Sequence, residues 1–266
     1  KFTIPKSCPA CGSMVVRREG EVAYYCSNLG CFAVAREKLY HFVSKAGFDI
    51  EGLGPKIIDQ LMETGLVEES SDLFLLRVGD LTPLERFADT SAQNLVKAIA
   101  TRKRISLARF IYALGIRHVG EETAHDLALH FGTLNRLKQA AQADFESVPQ
   151  IGAVVAKSLT NFFTSKASQK LIENLLKSGV EVIREIPRLQ GVLAGKTFVI
   201  TGTFGSLSRE EAKRLIREQG GKVSESVSQA TDYLVAGEEP GSKLAKANKL
   251  GVRVLDEKEF LKMIKK

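Results

Sequence analysis

No stretch of the chain approaches roughly eighteen uninterrupted apolar residues, and no basic-then-apolar leader opens it, so neither a membrane span nor a secretory signal is expected. The expectation is a soluble, cytoplasmic protein with no membrane partner. Histidine is scarce and scattered: His41, His118, His125 and His130 form no His-Glu-x-x-His or comparable set, and they read as surface or core residues rather than a catalytic metal site. No Ser/His/Asp grouping can be picked out, so the residues offer no nucleophile. Cysteine occurs four times, all within the first 31 residues. The 266 residues are too many for one small domain and suit two or three compact units. The chain begins at Lys1, not Met, and Phe2-Thr3-Ile4 reads like the end of a strand whose partners are missing. A fragment is expected.

The net charge of +7 and pI near 9.2 suit a polyanionic partner, but the excess is modest. Its distribution is more telling. Residues 51–100 hold 4 Lys/Arg against 9 Asp/Glu, whereas residues 101–200 hold 14 against 8 and include Arg102-Lys103-Arg104. That run reads either as local basic surface or as a solvated helix end.

The cysteines stand as Cys8-x2-Cys11 and Cys26-x4-Cys31 with fourteen residues between the pairs. Each close pair supplies two thiolates from one tight turn, and an intervening hairpin would bring Cys8, Cys11, Cys26 and Cys31 together as a zinc ribbon. Four thiolates close the coordination, so the Zn2+ would be structural and would staple a segment too short to build its own core. Two disulfides or four free buried thiols are the alternatives, and disulfides fit a cytosolic chain poorly.

Beyond the ribbon, Leu39, Phe42, Val43 and Ala46 fall at helical spacing and mark an amphipathic helix. The chain then repeats. Anchored on Gly54, Ala88, Gly120 and Gly152, the copies lie 34, 32 and 32 residues apart. Four positions before each anchor stand Ile50, Leu84, Ile116 and Val148; one before stand Leu53, Phe87, Val119 and Ile151. Four after stand Ile58, Ala92, Ala124 and Ala156, and seven after stand Leu61, Leu95, Leu127 and Leu159. This pattern predicts pairs of short helices joined by a tight hairpin. Glycine there permits positive φ and lets another backbone approach, and the second helix points its unpaired N–H groups outward as an anion site. The repeats resemble helix-hairpin-helix DNA-binding motifs, which hold phosphate without reading sequence. The candidate contacts are Gly52, Gly54, Lys56, Arg117, His118, Gly120, Gln150, Gly152 and Lys157. The second copy, Arg86-Phe87-Ala88, lacks the glycine and is expected to be mainly a packing unit. A purely structural helical repeat is the alternative.

From residue 187 the texture changes. Pro187, Gly191 and Gly195 suggest a linker. Thr197–Thr201 reads as a strand, and Ser208-Arg209-Glu210-Glu211 as a capping box opening a helix. Gly220-Gly221 would end that helix. Short strands follow at Val223, Tyr233–Ala236 and Arg253–Leu255, with helices at Ser242–Leu250 and after Asp256. Alternation of strands and helices predicts a small parallel sheet with helices on both faces. This portion resembles a BRCT domain through Gly195-Lys196-Thr197-Phe198, Gly220-Gly221 and the Tyr-Leu-Val strand. Phe260 stands where that family usually has Trp. The resemblance implies a phosphate pocket at Thr201, Gly202, Arg209 and Lys243, with ordinary turn and capping roles as the alternative.

In order, a four-cysteine ribbon (1–33), four helix-hairpin-helix repeats (34–186) and a linker with a BRCT domain (187–266) resemble the carboxy-terminal half of a bacterial NAD-dependent DNA ligase. The strings Phe48 to Gly54, Ala113 to Gly120 and Gly195 to Gly202 carry the resemblance. Phe32, where the family commonly has Pro, and Ala88 depart from it. The fold implied is multi-domain: a zinc ribbon, an all-α repeat domain, and an α/β domain with a four-stranded parallel sheet. The function implied is nick sealing in replication and repair with NAD and Mg2+, through a Lys-x-Asp-Gly nucleophile that these residues do not contain. The chain is therefore expected to be inactive alone. It would clamp nicked double-stranded DNA as a monomer beside the amino-terminal catalytic half, associated with the nucleoid. A non-catalytic repair scaffold whose BRCT domain docks a phosphorylated partner is the alternative function. A nuclease or glycosylase accessory is a weaker one, since no carboxylate cluster or catalytic lysine stands beside a hairpin.

Overall fold

The computed structural model describes residues 3–17, 22–28, 30–85, 87–184 and 191–264. Phe2, Arg86 and Pro187 lie outside them, as do residues 188–190 of the suggested linker. Thr3 and Ile4 belong to no strand, so the expected strand end is not seen at these two positions. The chain divides into two compact units, residues 1–185 and 186–266, with the cysteine ribbon and the repeats in the same unit.

In the first unit, β1 (Val15–Arg17) and β2 (Tyr24–Cys26) form an antiparallel pair, with Val15 opposite Cys26. Helix α1 (Phe32–Val43) buries Leu39, Phe42 and Val43, while Ala46 falls beyond its end because the chain turns back: the Phe48 N–H donates to the Phe42 carbonyl. Then come α2 (Pro55–Glu63), a 3-10 turn (Asp72–Leu75), α3 (Val78–Leu81), α4 (Asp89–Thr101), β3 (Arg104–Ser106) and α5 (Leu107–Ala113). They are followed by α6 (Glu121–Phe131), α7 (Leu134–Gln139), α8 (Gln142–Glu146), α9 (Ala153–Thr164), α10 (Lys166–Lys177) and β4 (Glu181–Ile183). One hydrophobic cluster runs from Leu39 to Val180. The repeat columns are its framework: Ile58, Ala92, Ala124 and Ala156 are each 0% exposed, and Leu61, Leu95, Leu127 and Leu159 are buried with them. The alanines let α4, α6 and α9 approach neighbours closely.

Two features of this unit have no counterpart in local sequence pattern. Strands β3 and β4 pair in parallel, tying the end of the repeats to the middle of the chain. In the basic run Arg102-Lys103-Arg104, the last two residues serve that closure and the first a separate contact. Arg102 binds the Asp49 carboxylate at 2.9 Å, Lys103 donates to the Ser178 carbonyl at 2.7 Å, and Arg104 pairs with Glu181 at 3.0 Å. Arg109 reaches from α5 to the carbonyls of Gly47 (2.9 Å) and Lys45 (2.8 Å), with Asp49 at 3.8 Å. The loop before the first hairpin is thereby stapled to α4 and α5.

The second unit holds β5 (Thr197–Thr201), α11 (Arg209–Glu218), β6 (Lys222–Ser224), β7 (Tyr233–Ala236), α12 (Gly241–Leu250), β8 (Arg253–Leu255) and α13 (Glu257–Ile264). The four strands form a parallel sheet in the order β6-β5-β7-β8. Ala212 and Ile216 of α11 and Phe260 of α13 cover one face with Phe198, Ile200 and Val235. Ala247 of α12 covers the other with Val199 and Leu234. Alternation along β5 produces this division, since successive side chains point to opposite faces. Ser208 caps α11 with Glu211 in a reciprocal box. Phe260 is fully buried, its ring 6.4 Å from Phe198.

Candidate metal centre and nucleic-acid interface

The Cys8–Cys11 turn closes through Gly12, whose N–H donates to the Cys8 carbonyl at 2.8 Å with φ of +72°. β-Pairing brings Cys26 across from it, and Cys31 stands at the N-cap of α1, where the helix dipole favours negative charge. The four Sγ atoms all lie within 4.8 Å of one another. Cys8 and Cys31 are 3.9 Å apart and Cys11 and Cys26 are 3.5 Å apart. A tetrahedral Zn2+ with bonds of about 2.3 Å sets its sulfurs about 3.8 Å apart, whereas a disulfide needs about 2.05 Å. The set fits zinc. Without metal, the Ser13 hydroxyl and N–H draw Cys11 down to about 6. Cys26, which the Asn28 N–H lowers, is pushed up to about 12 by desolvation and by its hydrogen bond to Cys11. Zinc binding would displace the thiol protons that remain, since the ligand is the thiolate.

The four hairpins share one internal geometry. The apolar residue before each anchor donates its N–H to the carbonyl three residues back: Leu53 to Ile50, Phe87 to Leu84, Val119 to Ile116, Ile151 to Val148, at 3.1–3.2 Å. The anchor's carbonyl accepts from the fourth residue on, so Gly54, Ala88, Gly120 and Gly152 are N-caps of α2, α4, α6 and α9. Positive φ falls two residues earlier, at Gly52 (+80°), His118 (+64°) and Gln150 (+69°). The anchor glycines are extended, with φ of −86°, −89° and −87°, and a Cβ built on any of them meets nothing within 4 Å. No side chain caps them. Three helix N-termini thus begin at glycines with open space where a capping side chain would stand.

The second hairpin differs twice. Ala88 carries a Cβ, and its N–H is taken by the Ser91 hydroxyl at 2.9 Å. Pro55 also leaves α2 one donor short of α6 and α9. Gly52, Gly54, Lys56, His118, Gly120, Gln150, Gly152 and Lys157 are all exposed at hairpins. Arg117 is half-buried, with its guanidinium carbon 5.2 Å from the centre of the Tyr25 ring in β2. Nothing local in the sequence links Tyr25 and the ribbon to the third repeat; Pro55 and Ser91 were also missed, although proline at a first helical position and serine in a first turn are helix-start signals.

In the second unit the Thr201 hydroxyl donates to the Pro240 carbonyl at 2.6 Å. Arg209 donates through Nε to the Gly202 carbonyl at 2.7 Å. The Lys243 ammonium lies 3.4 Å from the Ile200 carbonyl and 3.9 Å from Glu225. Gly202 is required for space, since a Cβ there would stand 2.5 Å from the Glu238 carbonyl oxygen. These four residues gather at one end of the sheet, with the Thr201 hydroxyl and Arg209 Nε engaged by backbone carbonyls.

Residues 7–33 match the NAD-dependent DNA ligase C4 zinc finger domain, residues 109–172 the helix-hairpin-helix motif, and residues 188–264 the BRCA1 C Terminus (BRCT) domain. Along nearly its whole length the chain is similar to curated DNA ligases. It is 48% identical to that of Pelotomaculum thermopropionicum over 261 residues, covering 97% of this chain and 38% of the relative. Against that of Desulforudis audaxviator it is 48% identical over 265 residues, covering 99% and 39%. Against that of Geobacter metallireducens it is 46% identical over 261 residues, covering 98% and 39%. The chain spans about two fifths of the length of these relatives. With a four-cysteine zinc centre, helix-hairpin-helix repeats and a BRCT fold in that order, it belongs to the NAD-dependent DNA ligase family, of which it represents the zinc-finger, helix-hairpin-helix and BRCT portion.

Proposed function

We propose that this chain is the DNA-holding portion of an NAD-dependent ligase, a monomer that grips nicked duplex by its phosphates without reading base sequence. Adenylate transfer from NAD to the nick, with Mg2+, belongs on this reading to an amino-terminal part of the parent protein, in the cytoplasm at the nucleoid. The observation that carries it is the set of uncapped helix N-termini behind Gly54, Gly120 and Gly152, each with room for a phosphate where a side chain would stand. Lys56, Lys157, His118 and Gln150 flank them, and Arg117 lies at the third. In functional terms residues 1–33 brace the grip, 34–186 make it and 187–266 extend it.

The test is fluorescence anisotropy of the chain with two nicked duplexes of unrelated sequence across a salt series. The affinities should match and fall steeply with salt. Salt-independent binding, or clear preference for one sequence, would overturn the proposal. A scaffold role through Thr201, Gly202, Arg209 and Lys243 draws less support, because the Thr201 proton is committed to Pro240 and Glu225 lies beside Lys243.

A further inference from the structure

The zinc ribbon and the third hairpin meet at one pair of side chains. Tyr25, next to the ligand Cys26, lies with its ring against the Arg117 guanidinium. Arg117 directly precedes His118, where the hairpin turns at positive φ. An open groove of about 520 Å³ separates the two elements, lined by Val22, Ala23, Tyr25, Arg117 and His118. Its ribbon wall is apolar, with Val22 84% exposed, and its hairpin wall carries the Arg117 side chain. A sugar–phosphate unit has the matching chemistry, with C–H groups on deoxyribose and two oxygens for a guanidinium.

We infer that the ribbon is the second wall of the third hairpin's DNA site: Tyr25 positions Arg117, and the groove takes one sugar–phosphate unit of the strand held at that hairpin. This rests on the proposed DNA-holding function. An arginine already laid on an aromatic face loses less freedom on binding phosphate than one free in solvent. The four thiolates hold the end of β2 and hence the ring, so the structural zinc acts on affinity through a single hairpin. Tyr25 is a positioning residue, not a phosphate contact.

The experiment measures nicked-duplex binding by the zinc-loaded chain, with zinc content determined for every variant. Tyr25→Leu should weaken binding by about five- to tenfold, the scale of a cation–π contact together with the order it imposes. Tyr25→Phe, which keeps the ring, should bind like the unmodified chain. The Tyr25→Leu loss should vanish on an Arg117→Ala or Gly120→Val background and persist in full on Gly152→Val. Val22→Glu, a change at an exposed position away from the thiolates, should weaken binding by about tenfold by facing a carboxylate to the strand, again only while Gly120 is intact. Equal losses on the Gly120→Val and Gly152→Val backgrounds overturn the inference, as does undiminished binding by Val22→Glu. Failure of the unmodified chain to bind duplex instead overturns the function on which the inference rests.

Discussion

At three of the four anchors a glycine stands where neither its own φ nor its neighbours ask for one. Gly54, Gly120 and Gly152 are extended and face open space, unlike Gly237, whose Cβ would come within 2.2 Å of the Thr203 carbonyl oxygen. On the proposed function, the room left by the missing side chain is filled by a phosphate of the duplex. Gly120→Val and Gly152→Val should therefore fold, with stability changed by about 1 kcal/mol or less. Each should lower DNA affinity by about tenfold or more, the loss of one or two charge-assisted hydrogen bonds. Ala88→Val should change affinity less than about twofold, since its N–H already serves Ser91. Equal losses at all three in anisotropy titrations would refute the division between gripping and packing hairpins. The periodic columns made the anchors legible in sequence. They did not reveal that positive φ falls two residues earlier, because His118 and Gln150 carry it in place of glycine, and such residues announce no turn.

Elements were legible where the signal is local. The Ser208 box, the helical spacing of Leu39, Phe42 and Val43, and the apolar run Thr197–Thr201 each predicted the structure found. Strands β3 and β4 were not legible, because three residues carry no usable period and their partners lie far apart in the chain. The basic run at Arg102 was ambiguous for the same reason: whether a cation faces solvent or a distant carbonyl depends on what the fold brings near. The Asp49–Arg102–Arg109 brace makes a prediction at this scale. Arg109 is depressed chiefly by desolvation, against which Asp49 raises it, and it serves two backbone carbonyls. Arg109→Leu should destabilise the first unit by about 2 kcal/mol, leaving the Gly47 and Lys45 carbonyls without their charged donor. Denaturant unfolding would measure this, and amide exchange should quicken first in residues 44–50. Loss confined to α10 would contradict the assignment.

At the scale of the molecule, the modest net charge separates into surfaces with different duties, and acid stability follows from the second unit. There the Glu225 carboxyl is held low chiefly by the Lys213 ammonium, Asp232 by the Thr197 N–H, and Glu257 by the Ser206 hydroxyl together with loop N–H groups. Carboxyls held low in the folded state confer stability that is present above the ordinary range near about pH 4 and is lost as pH falls toward the folded values. Protection of α13 and β5 in amide exchange should decay in that window, and more shallowly in a Glu225→Gln, Glu257→Gln double variant. An unchanged acid profile would remove these carboxylates from the account. By itself the sequence determined the zinc ligands, the number and phase of the repeats and the order of strands and helices, because each rests on side-chain chemistry at short, regular spacing. Only the tertiary structure decided that Tyr25 lies against Arg117, that Arg102, Lys103 and Arg104 each meet a partner distant in sequence, and that Thr201 is engaged by Pro240. Those pairings join residues far apart in the chain, and no local pattern encodes which partner the fold brings within hydrogen-bond reach.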